Sequence, residues 1–153
     1  MRRYAPLAAL AATVVSVLLV AGCGGEDNQE TFAKDFRPIN AQIVAIGRKV
    51  GTAVGTARGK SDVALADEFA ALADQVGKQR KKLDDLDPPD DLGSATDDLT
   101  SGLGEVEKDL RGISKAARGH DAEGARSSTE ALVRDSAPLR SARRKIEKET
   151  KKD

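Results

Sequence analysis

Few side chains in this chain could do chemistry. Of its 153 residues one is Cys and one is His. His120 follows Gly119 in what reads as a turn, and the sequence places no catalytic partner beside it, so it reads as a surface turn residue. The densest group of ligating side chains is Asp84, Asp85, Asp87, Asp90 and Asp91, with Asp97 and Asp98 beyond. Carboxylates gathered in a loop can hold Ca²⁺, but this run lacks the EF-hand spacing with its central Gly and terminal Glu. Acids near a helix start are favoured by the helix dipole without any metal. No metal site is expected, and the alternative is a divalent-cation site at Asp84, Asp87, Asp90 and Asp91. The chain contains no G-x-S-x-G, H-E-x-x-H or G-x-x-x-x-G-K-[ST] segment, so hydrolase, metalloprotease and P-loop chemistry have no foothold. No catalytic residue and no enzymatic activity are expected.

Composition narrows the remaining classes. Lys+Arg and Asp+Glu each number 25, and a near-neutral chain offers no electrostatic footprint for nucleic acid. Tyr4 is the one Tyr, and Phe32, Phe36 and Phe69 are the other aromatics. Platforms for stacking bases or sugars have almost nothing to be built from. A single Cys makes no intrachain disulfide, and structural zinc lacks its usual Cys and His ligands.

The elements that must position these residues begin with an export segment. Arg2 and Arg3 form a short positive region and Leu7 to Val20 an apolar one, the pattern of a secretory signal and not of a mature membrane span. It ends at Val20-Ala21-Gly22-Cys23, followed by the polar stretch Gly24 to Gln29. This closely resembles the lipobox of bacterial lipoproteins, with Val20 where Leu is usual. The resemblance implies cleavage between Gly22 and Cys23, diacylglycerol on the Cys23 thiol and an acyl chain on the new amino terminus. Those covalent lipids are the only prosthetic groups it implies, and no other cofactor is expected. Each acyl CH₂ buried in a bilayer contributes ~0.8 kcal/mol, and a single short chain holds only marginally, so two or three chains anchor durably. The expected organisation is a cleaved signal peptide over 1–22, the lipidated Cys and a flexible linker over 23–30, and a helical domain over 31–150.

That domain reads as helix nearly throughout. Apolar residues three and four apart, which share one face of a helix, run Phe32, Phe36, Ile39, Ile43, Ile46, Val50, Val54, Ala57. A second seam follows Ser61, a plausible N-cap: Leu65, Phe69, Leu72, Val76, Gln79, Leu83, Leu86, with Gln79 its one polar member. Asp87-Pro88-Pro89-Asp90 ends it, because proline cannot continue a helix and pushes the residue before it out of the α region. The third seam is Leu92, Thr96, Leu99, Leu103, Val106, Leu110, Ile113, Ala117, closed by Gly119 as a C-terminal glycine. The fourth, after the capping candidate Asp121, is weaker: Ala125, Thr129, Leu132, Ser136, Leu139, Arg143, Ile146. Four helices of matched length, each roughly 40 Å at 1.5 Å per residue, joined by short turns, predict an all-α, up-down-up-down four-helix bundle.

Several details qualify this plan. A shift of 60 residues lays Ala57-Arg58-Gly59 on Ala117-Arg118-Gly119 and the first two seams on the last two. Two duplicated helical hairpins would explain this, although any two seams can be slid into phase and only the turn tripeptide is independent. Pro38 interrupts the first pattern, either in a first turn or as a kink in a helix that begins near Thr31, and Pro138 sits inside the fourth, where a kinked or split helix is expected. Gly47, Gly51, Gly55 and Gly59 recur at intervals of four, a ladder costing up to ~1 kcal/mol per glycine against Ala inside a helix. The ladder either packs inside the bundle or offers a smooth strip to a protein partner. It does not suit a bilayer, since Arg48, Lys49 and Arg58 share the segment. Residues 140–153 carry seven basic residues against three acids, either a solvated helix end with i,i+4 pairs such as Arg143 with Glu147 or a contact for anionic headgroups or the Asp turn.

The segment Leu83-x-x-Leu86-Asp87-Pro88-Pro89-Asp90-Asp91-Leu92, in a chain rich in Ala, Asp, Gly and Arg, resembles small helical lipoproteins of high-GC Gram-positive bacteria. That resemblance implies an architecture and the extracytoplasmic face of the cell membrane, and transfers no catalytic residue. In a host with an outer membrane, Gly24 after the Cys resembles lipoproteins sent onward to it. The expected role is a lipid-anchored, non-enzymatic protein-binding or scaffolding module of the envelope, partnered by the membrane through its anchor and by a protein. The alternative is a lipoprotein that binds a small ligand or divalent metal at the Asp turn.

Overall fold

A computed structural model of the chain describes residues 25–151. The expected signal segment, cleavage between Gly22 and Cys23 and lipidation of Cys23 lie outside the described residues. Among the described residues the chain forms four α-helices and no strand: α1 (Gly25–Gly55), α2 (Asp62–Asp84), α3 (Asp90–Arg118) and α4 (Ala122–Glu149), with one 3-10 turn over Ala57–Gly59. The all-α four-helix bundle expected from the seams is the fold. No described helix is long and apolar enough to cross a membrane.

The helix ends follow from local chemistry. Ser61 caps α2 by accepting a hydrogen bond from the Ala64 amide at 3.3 Å, and Asp121 caps α4 by accepting one from the Gly124 amide at 2.9 Å, each satisfying an amide that a helix start leaves unpaired. Pro89 opens α3 with its carbonyl accepting from Leu92 and Gly93. Two boundaries differ from the sequence reading. Helix α1 starts at Gly25 and not near Thr31, so the stretch read as linker is helical from Gly25. At the end of α3 the left-handed residue is His120, with φ 54°, while Gly119 keeps a negative φ of −84°. The His120 amide donates to the Ala117 carbonyl and the Asp121 amide to the Ala116 carbonyl, the crossed pair of bonds that closes a Schellman turn. That register puts the left-handed position one residue past the glycine.

The core is one cluster drawn from all four helices. Every member of the third seam is buried, and the first and second seams are buried except for half-buried members near their ends. The weaker fourth seam buries Leu132, Leu139 and Ile146 and half-buries the others. Among the described residues, all buried core residues fall between Phe32 and Ile146.

Spacing between the helices is uneven. Helix α3 lies close against both α2 and α4, α1 packs against α2, and α1 and α4 make few close backbone approaches. The small residues explain the tight side. A Cβ added at Gly102 would sit 3.2 Å from Leu139 Cβ, and one at Gly112 would sit 2.6 Å from Ser128 Oγ. Helix α1 instead turns Phe32, Phe36, Ile39, Ile43 and Ile46 inward, and side chains of that bulk hold its axis away. Pro38 and Pro138 lie inside α1 and α4 with their rings exposed, where an amide missing from the helix ladder leaves a carbonyl that water can reach.

Candidate functional site

A cleft of about 310 Å³ opens on the α1–α4 side, where the backbones stand apart. Its depth is apolar, formed by Ile43 and Ile46 of α1, Val76 of α2, Leu103 and Val106 of α3, and Leu132 of α4. One polar group interrupts that depth. Gln79 is 9% exposed, and its Oε1 has no hydrogen-bond partner. A buried amide oxygen left unpaired costs about 1–3 kcal/mol, and such a group in a native core calls for a physical reason. Gly47 and Arg48 of α1 and Ser136, Arg140 and Arg143 of α4 also line the cleft. Its lining includes three arginines and no acid.

The three arginines are not equivalent. Arg143 Nη1 donates to Glu147 Oε1 at 2.7 Å and to Asn40 Oδ1 at 3.3 Å, and Asn40 Nδ2 donates to the same Glu147 oxygen at 2.6 Å. This half-buried triad ties α1 to α4 and engages Arg143 internally. The Arg48 and Arg140 side chains are exposed and make no hydrogen bond or ion pair within the described residues. The cleft thus combines an apolar floor, one orphaned amide and two uncommitted guanidinium groups.

The glycine ladder faces outward. Gly47, Gly51, Gly55 and Gly59 are exposed, and a Cβ added at any of them would meet nothing within 4 Å, so they do not pack inside the bundle. The ladder is also shorter than its spacing implied, since α1 ends at Gly55 and Gly59 belongs to the 3-10 turn. The glycines that pack closely against a neighbouring helix are Gly77 on Glu107, Gly102 on Leu139 and Gly112 on Ser128, which no regular spacing marks.

The aspartates of the α2–α3 turn are dispersed. Asp84 ends α2, Asp87 lies in the loop, and Asp90 and Asp91 open α3; all four are exposed. No three His, Cys, Asp or Glu side chains converge on a metal-sized point among the described residues. His120, for which the sequence placed no partner, has one. Its Nδ1 lies 2.5 Å from Asp62 Oδ2, joining the turn before α4 to the first turn of α2. Both groups are largely exposed, at 76% and 49%, and form a surface clasp.

A second buried polar group lies at the α3–α4 seam. Asp109 is 8% exposed, and its Oδ2 has no partner. Desolvation pushes its pKa above the ordinary value of 3.8, with Asp135 and Glu105 adding repulsion. Nothing in the apolar spacing singled out Asp109. Gln79 did show in the sequence, as the one polar residue of an otherwise apolar seam. Arg48 and Arg140 carried no signal beyond their charge, because only the separation of α1 and α4 makes them a rim. No protein-family model, curated protein or solved structure matches the chain.

Proposed function

We propose that the protein is an exported, lipid-anchored binding module of the cell envelope. In this reading, acyl chains on Cys23 hold it at the extracytoplasmic face of the membrane, and it acts without catalysis through the α1–α4 side of its bundle. The lipobox-like Val20-Ala21-Gly22-Cys23 segment supports the anchor. The observation that carries the binding role is the cleft whose buried Gln79 oxygen is unpaired behind two uncommitted arginines. Concave, mostly apolar sites of about 300–1,000 Å³ with a few convergent polar groups are the usual form of ligand pockets.

A second reading keeps the same anchor and places a protein partner on the outer face of α1. Gly47, Gly51 and Gly55 favour it, since three exposed glycines weaken the helix and leave a bare strip that another helix could approach closely. Crosslinking in living cells followed by capture would test it. A single envelope protein that is captured by the wild type and lost when the three glycines become Leu supports this reading, and a pattern unchanged by those substitutions defeats it.

Metabolic labelling with an alkynyl fatty acid tests the anchor. Label on the wild-type chain and none on Cys23→Ala, with the variant released from the membrane fraction, is the expected result. An unlabelled wild-type chain would overturn the anchor.

A further inference from the structure

We infer that the α1–α4 side of the bundle lies flat on anionic lipid headgroups, with Arg37 of α1 and the row Arg140, Arg144, Lys148 and Lys151 of α4 as its contacts. The choice of a membrane as partner rests on the anchor in the reading above.

Three observations carry this. The first is that the row forms a face. Its members recur at intervals of four, four and three, which sets them on one side of α4 over ~16 Å of its length, and all four are exposed. Arg37 is exposed one turn before Asn40, the α1 residue that bonds Glu147, so it stands on the side of α1 that meets α4. Charges spread along a side suit a planar surface and need not converge on one point.

The second is that these charges are uncompensated. Among the described residues none of the five makes a hydrogen bond or ion pair. Glu147 is engaged by Asn40 and Arg143. Asp35, two residues from Arg37, falls on the other side of α1, and Glu30 is two turns nearer the helix start. On the α2–α3 side the guanidinium groups are paired instead: Arg80 with Glu107, Arg111 with Asp74 and Glu107, and Arg118 with Asp67. A chain with equal numbers of acids and bases thus leaves one side positive.

The third is the place of the row. Cys23 stands two residues before Gly25, where α1 starts. From the Asn40–Glu147 contact the antiparallel α4 runs on toward that start, so the row ends on the tethered half of the bundle. There each Lys or Arg near an anionic leaflet favours contact about fivefold.

The depth of a fluorophore on vesicles tests the inference. Ala137 of α4 and Lys81 of α2 are both exposed. Leu139 lies against Gly102 and Arg80 against Gly104, so the two residues stand at the same height of the bundle, on helices that α3 separates. An upright bundle gives dyes at Ala137→Cys and Lys81→Cys equal depth, whereas one lying on its α1–α4 side separates them by roughly two helix diameters, about 20 Å. The full chain with Cys23→Ala carries one dye at a time and is held by its uncleaved apolar segment, Leu7 to Val20, so the result does not depend on acylation.

On phosphatidylcholine vesicles containing about one-third phosphatidylglycerol, a quencher on the lipid headgroup should dim the dye at 137 several-fold more than the dye at 81. The difference should vanish on pure phosphatidylcholine and in about 1 M salt, where the Debye length is about 3 Å. Arg37→Gln with Arg144→Gln and Lys148→Gln, none of which lines the cleft, should weaken the face-on preference about a hundredfold and erase the difference. Lys108→Gln with Lys115→Gln and Arg118→Gln makes the same change in net charge and should preserve it, with circular dichroism showing equal helix content throughout. Equal quenching on the anionic vesicles overturns the inference and leaves the face for a soluble anionic polymer. A difference that persists on neutral vesicles or survives the first set of substitutions overturns it too, as does a chain that stays off anionic vesicles. All of these failures leave the labelling test of the anchor standing.

Discussion

Asn40 Nδ2 donates a 2.6 Å hydrogen bond to Glu147 Oε1 across 107 residues of sequence, joining the middle of α1 to the C-terminal end of α4. Arg143 closes the set by donating to both partners. On this side of the bundle the backbones stand apart, so a polar clamp does here what close packing does between α3 and α4. The i,i+4 pair of Arg143 with Glu147, legible in the sequence, is therefore one part of a contact between helices and not only a solvated helix end.

Asn40→Ala should remove the link from α1 while leaving the Arg143–Glu147 pair within α4. The expected loss is about 1 kcal/mol, the usual net worth of a partly buried hydrogen bond. Urea denaturation followed by circular dichroism measures it. A stability unchanged from wild type would show that the clamp contributes nothing.

Glycines on opposite sides of the molecule should respond to alanine with opposite signs. At Gly51 an added methyl meets nothing within 4 Å, so Gly51→Ala gains helix propensity and stabilises by up to about 1 kcal/mol. At Gly102 the methyl would lie 3.2 Å from Leu139 Cβ and 3.5 Å from its Cα. Two packed backbones would have to separate, and Gly102→Ala should destabilise by about 1–3 kcal/mol, the range for overpacked cores. Thermal melts of both variants decide the matter, and the same sign at both positions would contradict the packing described.

Asp109 should make the bundle less stable as pH rises. Its folded pKa lies above 3.8 because burial disfavours the carboxylate. Between those two values the folded state binds the extra proton, so stability from this group is present at low pH and falls as pH climbs through the raised folded value. Asp109→Asn removes the charge. Its stability advantage over wild type should therefore be larger at about pH 7 than at about pH 3 in paired denaturation curves. An advantage independent of pH would refute the assignment.

His120 holds a left-handed backbone that glycine adopts without penalty. His120→Ala keeps the strain and loses the exposed contact to Asp62, and should cost at most about 1 kcal/mol. His120→Gly loses the same contact but relieves the backbone. It should be the more stable of the two variants, and a differential scanning measurement showing the reverse would overturn the Schellman geometry.

How much of this could be read in advance depended on range. Ser61 and Asp121 cap the helices expected of them, and Pro88-Pro89 separates α2 from α3, because capping and proline geometry act within a few residues. Gly119 ends α3 as a C-terminal glycine was expected to, but the left-handed position falls one residue later, at His120, where the hydrogen bonds of the last helical turn set the Schellman register. In the candidate site, Gln79 stood out as a polar break in an apolar seam, but nothing in the seam told a satisfied amide from an orphaned one. Arg48, Arg140, Asn40 and Asp109 were invisible as a set, being brought near one another or to their neighbours only by the packing of separate helices.

The sequence by itself determined the four amphipathic helices and their order. A period near 3.6 chooses one face of each helix locally, and short turns leave antiparallel neighbours as the way to bury those faces. Only the tertiary structure decided which neighbours touch and which stand apart. The distance between two helices depends on the side chains that both faces bring to the contact. Gly102 and Gly112 let α3 and α4 close, while the Phe and Ile residues of α1 hold it away from α4. That difference in bulk opens the cleft that Gln79 lines without a hydrogen-bond partner for its oxygen.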